Sequence, residues 1–199
     1  MKSQTGLIVA TLVSAGVAIT APNAAHACVQ TLGGPPCEVA PATFVIADVG
    51  LHVVNVGLAR SVDRAQQLVV QVSAGLYGPW TQTGNVFGVS GDAIDIDVIG
   101  AVIRARLVWY PASKLRGIWL STFGQAGAAN ILDQTAQPDG AHVGLVASVG
   151  ASVGYAWWLG SAHHWHVALG AGGQFHVAAG DPGFAQPYPH IDAIVGYRW

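Results

Sequence analysis

Charge is the scarcest thing in this chain. Of its 199 residues 9% are charged, and a single one is glutamate, Glu38, where soluble domains carry about 25%. With ten acidic against eight basic residues and a formal charge of −2, no basic cluster exists to hold a nucleic acid. Cysteine is nearly missing too: Cys28 and Cys37 are the two present, which excludes a scaffold built on disulfides and a cysteine-rich metal site. Beyond the first 22 residues no apolar run is long and uniform enough for a membrane helix. There is no phosphate-binding glycine loop and no nucleophile turn. What the chain does have is 52% hydrophobic residues and 26 glycines. The apolar residues are cut at every second position by Gly, Ser, Gln or His. High apolar content without a helical span is what a chain crossing a membrane on strands requires.

The N-terminus reads as a secretory signal. Lys2 gives a positive start, Gly6 to Ala21 is apolar, Pro22 breaks the run, and Ala25-His26-Ala27 offers small residues for cleavage before Cys28. An uncleaved anchor is the alternative, and the run is short for a span. Lipidation of Cys28 is a second alternative, although Ala25-His26-Ala27 lacks the aliphatic residue a lipobox starts with. The expected organisation is a cleaved signal (1–27), an N-terminal periplasmic segment (28–42) and a barrel (43–199). Export to an oxidising compartment makes a local Cys28–Cys37 disulfide the simple reading of two cysteines flanking Gly33-Gly34-Pro35-Pro36.

Period-two alternation carries the fold. In the last ten residues Ile191, Ala193, Val195, Tyr197 and Trp199 share one face, with His190, Asp192, Ile194, Gly196 and Arg198 on the other. His142 to Leu159 and His164 to Ala178 alternate over lengths unusual for globular strands. Tyr155, Trp157, Trp165 and Phe175 stand toward the ends of their outward faces, as an interfacial girdle requires. Ile99 to Trp109 presents an apolar face with Arg104 and Arg106 between, and Leu68 to Leu76 another opposite Gln71, Ser73 and Tyr77. Arg116 to Ala126 alternates poorly, and Val49 to Arg60 reads as one strand with a bulge. An eighth strand is sought in Glu38 to Asp48, with a turn at Asp48-Val49-Gly50. Short connections (Arg60 to Gln66, Pro111 to Leu115, Gly160 to His163) alternate with longer ones (Trp80 to Asp95, Gln125 to Ala141, Ala179 to Pro189), as periplasmic turns and outer loops do. The expected fold is all-β, a closed antiparallel up-and-down transmembrane barrel of about eight strands.

The segments Val108-Trp109-Tyr110-Pro111, Gly144 to Trp157 and Gly196-Tyr197-Arg198-Trp199 resemble the small bacterial outer-membrane proteins of the OmpA/OmpX-type and OmpW-like barrels. The resemblance is one of pattern over most of the mature chain. It implies fold and an outer-membrane location and carries over no functional residue. The terminal Gly-Tyr-Arg-Trp resembles the closing strand that the barrel assembly machinery reads, which would make that machinery and outer-membrane lipid the partners.

Chemistry is thinly signalled. Ser148 and Ser152 share inward parity with His166, His176, His190 and Asp192, from which a lipid-modifying hydrolase could be drawn, yet nothing marks a serine as activated. His176, His190 and Asp192, with His142 as a further member, are the metal candidates, expected to converge if the hairpin joined by Ala179 to Pro189 sets His176 opposite His190 or Asp192. The other reading is a hydrogen-bonded rim with no metal and no cofactor. His163-His164-Trp165-His166 reads as solvated turn. Arg104, Arg106, Tyr110, Asp192 and Arg198 are the expected lumen polar network, with Tyr110, Trp158 and the arginines filling space left by the small inward stripe Gly144, Ser148, Gly150, Ser152, Gly154, Gly170 and Gly172. Three functional classes stand: a structural or surface-interaction barrel with a largely filled lumen, a narrow channel or small hydrophobic-ligand transporter, and a soluble exported binding barrel.

Overall fold

The computed structural model describes residues 41–51, 53–78, 96–112, 114–133, 141–160, 164–178 and 181–198. The expected signal, the Cys28–Cys37 pair and the Trp80 to Asp95 connection lie outside them. Eight strands follow in order: β1 (Thr43–Gly50), β2 (Val53–Ser61), β3 (Leu68–Tyr77), β4 (Ile96–Trp109), β5 (Gly117–Asp133), β6 (Ala141–Leu159), β7 (Trp165–Ala178) and β8 (Asp181–Tyr197). Each pairs antiparallel with the next, and β1 pairs with β8 to close the barrel. A closed barrel leaves no unpaired ladder where it is shut, which is what lets a sheet stand in lipid.

The register sets the slant. The hydrogen-bonded row leaving Ile46 runs through Gly57, Ser73, Arg104, Gln125, Ser148 and His176 to Gln186. Ile46 itself pairs with Gly196 across the seam, ten residues from Gln186 on the same strand. A stagger of this size on eight strands tilts them by about 40° and leaves an interior that side chains can fill.

Alternation sorts the side chains as expected. Ile103, Leu107, Leu145, Val149, Val153, Leu169 and Val195 are exposed, while Arg104, Arg106, Ser148, Ser152, His166 and Asp192 are buried inside. Among the described side chains, the outward positions of β3 to β8 carry no charge. This is the inverse of a soluble barrel.

Several boundaries differ from the sequence reading. Val49 to Arg60 is not one bulged strand: β1 continues through Asp48 to Gly50, and β2 starts at Val53. Asp48 is therefore an inward strand residue and not part of a turn. β5 extends to Asp133, so Gln125 does not begin a loop. Ala179 to Pro189 is not a long loop either, because β8 starts at Asp181 after a two-residue connection. Prolines caused that misreading. β1 ends at Gly50, opposite Asp192, so among the described residues no strand pairs with β8 above Asp192 on that side. Pro187 and Pro189 fall in this stretch with one free side, and by opposite parity to Arg198, whose N–H faces β7, their missing N–H groups would face that free side.

Candidate functional site: the layered lumen

The interior is built in layers. At the end where β1 begins and β8 finishes, Phe44, Ile46, Val108, Tyr110, Leu115, Trp119, Ala156 and Ile194 form one apolar cluster, with Trp158 packed against it. At the far end Val53, Tyr77, Val102, Ala129 and Val146 form a smaller one. The charged residues lie between.

Trp119 is the keystone of the first layer, and the sequence reading passed over it. It points inward from β5, where a large apolar residue spoils the polar-in, apolar-out pattern. The small inward stripe exists to receive it: a Cβ on Gly154 or Gly170 would overlap the Trp119 indole, and one on Gly150 would strike the Phe123 ring. The glycines of β6 and β7 are thus the socket for the aromatic residues of β5. The turn between β4 and β5 closes over this layer. Leu115 takes a positive φ of 55° there, uncommon for a branched side chain, and buries that side chain in the cluster. Its carbonyl accepts a hydrogen bond from His166 Nε2 at 3.1 Å. His166, read as solvated turn, is instead buried, with its ring 5.6 Å from Phe44 and 5.0 Å from Trp158 between centroids.

The charged layer is a quartet. Arg104 Nη1 donates to Asp48 Oδ2 at 2.8 Å, and Arg106 Nη2 to Asp192 Oδ1 at 2.8 Å. The diagonals are 3.6 Å for Arg104 to Asp192 and 3.4 Å for Arg106 to Asp48. Two cations face two anions, so the layer is neutral before His190 is counted. His190 Nε2 lies 2.7 Å from Asp192 Oδ1. Ser152 Oγ donates to Asp192 Oδ2 at 3.1 Å, and Arg104 Nε to Gln125 Oε1 at 2.9 Å. Both guanidiniums also stand over the Phe123 face, at 4.8 and 5.3 Å. All four charged side chains are essentially sealed from solvent, where an ion pair holds only if its remaining bonds are met.

Of the five expected network residues, Arg104, Arg106 and Asp192 come together. Tyr110 and Arg198 do not. Tyr110 sits in the apolar layer beside His166, and Arg198 lies over the Trp158 ring at 5.0 Å. The missing partner was Asp48, whose inward parity with Phe44 and Ile46 could have revealed it.

The expected metal set does not converge. Inward parity holds for His176, His190 and Asp192, but the register sets His176 opposite Gln186, and His190 and Asp192 opposite Gly172 and Gly170. The reason is the tight β7–β8 connection, which moves His176 four residues up the wall from His190. His176 Nδ1 bonds the Tyr77 hydroxyl and its ring meets Tyr188 edge-on. His142, on β6, pairs with Ile131 of β5, and its side chain lies outside the described residues. Among the described residues no three His, Cys, Asp or Glu side chains group as a metal site. In the hydrolase constellation Ser148 faces His176 across β6 and β7 with its Oγ in no hydrogen bond, and Ser152 is in the wrong order. Asp192 stands between Ser152 and His190, so no imidazole is placed to take the Ser152 proton.

Several buried polar groups, among them Asn55, Gln174 and Ser148 Oγ, have no hydrogen-bond partner within the protein. Those three residues lie between the charged quartet and the far end, and within the quartet Asp48 Oδ1, Arg104 Nη2, and Arg106 Nε and Nη1 are likewise without one. Groups of this kind are served by ordered water in native interiors.

No protein-family model and no curated protein sequence matches this chain. Solved structures similar to it include a major outer membrane protein from Thermus thermophilus, at 13% identity and a TM-score of 0.45, covering 81% of this chain and 100% of that one. The N-terminal beta-barrel domain of Pseudomonas aeruginosa OprF is another, at 12% identity and a TM-score of 0.42, covering 80% of this chain and 96% of that one.

Proposed function

We propose that this protein is an integral outer-membrane β-barrel with a structural or surface-interaction role and a filled lumen. One observation carries the reading: among the described side chains the outward wall is apolar and uncharged on β3 to β8, while the charge is inside. In water that arrangement would expose most of the large hydrophobics. In a bilayer it is the stable one. Trp109, Trp157, Trp165 and Tyr197 lie exposed toward the same end of the barrel, as an interfacial girdle does, and this end faces the periplasm. The Trp119 layer and the ion quartet supply the filling. The 1–27 segment is the export signal, and the C-terminal sequence Gly196-Tyr197-Arg198-Trp199 engages the barrel assembly machinery.

Fractionation and planar-bilayer recording test this together. Recovery in the outer-membrane fraction, a heat-modifiable band on gels and no large, steady conductance are expected. A soluble periplasmic product overturns the location. Steady conductance overturns the filled lumen and favours the narrow-channel reading.

A further inference from the structure

The barrel wall is uneven, and the unevenness has a direction. At ~3.3 Å per residue and a tilt of about 40°, each strand residue adds ~2.5 Å of height. On β6 outward apolar residues run from Val143 to Leu159, about 40 Å of wall by that conversion. On β1 they run from Val45 to Val49, with Thr43 beyond, and on β2 from Val54 to Leu58, with Arg60 beyond. That is about 10 Å, against the ~25 Å apolar band of a membrane barrel.

A second observation falls on the same strands. Exposed aromatic side chains stand on β4 (Trp109), β6 (Tyr155, Trp157), β7 (Trp165, Phe175) and β8 (Tyr197). β1, β2 and β3 carry none outward, since Phe44 and Tyr77 point inside. β5 has none among its described outward residues, but it is tall and lies between two strands that do. The low wall is therefore also the wall without interfacial anchors.

Lipid against such a wall must thin, and a short apolar surface relieves that cost by associating with protein. A partner of full bilayer height would leave the mismatch in place on its own side. A partner equally low removes it, and a second copy related by a two-fold axis along the bilayer normal is equally low by identity. Residues at the axis then meet themselves. The surface suits this contact, being aliphatic and uncharged between Thr43 and Arg60: Ala47 and Val56 are cross-strand partners at its centre, with Val49, Val54 and Leu58 around them. We infer that β1 and β2 form the homodimer face of this barrel, an inference that rests on the membrane location proposed above.

The test is cysteine crosslinking of the full chain refolded into vesicles, with Cys28 and Cys37 changed to Ser. Val56→Cys, and Ala47→Cys as a second probe, should give an oxidised dimer at least tenfold stronger than Leu145→Cys on the tall wall. The dimer fraction should rise several-fold from dilauroyl to dioleoyl phosphatidylcholine vesicles, as the bilayer thickens. Val56→Trp should reduce dimer several-fold in an uncrosslinked assay while the barrel stays heat-modifiable. A monomer in every lipid, equal crosslinking from both walls, or a dimer indifferent to thickness overturns the inference. Failure to insert, seen as loss of the heat-modifiable band, overturns the membrane reading instead. A crosslink in cells to a different protein and never to a second copy overturns the choice of occupant.

Discussion

The two inner layers of this barrel are held by opposite logics. In the Trp119 layer each side chain contributes its own burial, and its neighbours remain content if one is shortened. In the quartet Asp48, Arg104, Arg106 and Asp192 each exist to satisfy the others. Both layers occupy the same narrow tube, yet one should fail by degrees and the other all at once.

The largest expected effect comes from breaking the quartet. Asp192→Ala leaves Arg106 without its close partner, takes the acceptor from Ser152 and removes the carboxylate beside His190. A loss of about 3–5 kcal/mol is expected, the cost of a buried charge left alone. Urea unfolding of the refolded barrel measures it. Arg106→Leu with Asp192→Leu should cost clearly less than the two single changes added, because removing both members removes the stranded charge. Additive losses would contradict the quartet logic.

Trp119→Ala comes next, at about 3–4 kcal/mol, by loss of burial and the cavity left over Gly154 and Gly170. The converse, Gly170→Ala, should cost about 1–3 kcal/mol by overpacking against the indole. Combining the two should recover part of the Gly170→Ala loss. A fully additive pair would show that the glycines are not the socket.

How much of this could be read beforehand divides along the same line. Which face a residue takes depends on parity alone, and parity placed Arg104, Arg106, His176, His190 and Asp192 inside. Which residues meet depends on register, and register depends on where each turn closes. The prolines of β8 imitated a loop, and Asp48-Val49-Gly50 imitated a turn. So the sequence showed two arginines and one acid but hid the second acid, and it paired His176 with the wrong neighbours. β5 was obscured for another reason, since Trp119 and Phe123 face inward where polar residues were expected.

The smallest expected effect lies outside both layers, in the turn between β2 and β3. Asp63 accepts hydrogen bonds from the backbone N–H groups of Gln67 (2.9 Å) and Leu68 (2.7 Å). Slight desolvation opposes ionisation there, but those bonds outweigh it and hold the carboxyl below its ordinary 3.8. Its contribution is complete above that ordinary value and is lost as pH falls through the lower folded value. Asp63→Asn should cost about 1 kcal/mol at neutral pH and flatten the acid limb of the stability profile. An unchanged acid limb would show that the turn does not titrate with folding.

The seam has a kinetic consequence. Every strand pairs with its neighbour in sequence until β1 meets β8, and that meeting runs from Val45 to Gly50 alone, whereas β5 and β6 travel together from Gly117 to Leu132. Hairpins can zip one after another with little loop-closure entropy, but the seam must wait for the whole chain. Until then β1 and β8 are both open edges. Closure is therefore the late event of assembly, and a chain halted before Asp192 would have a curved sheet with nothing to shut it.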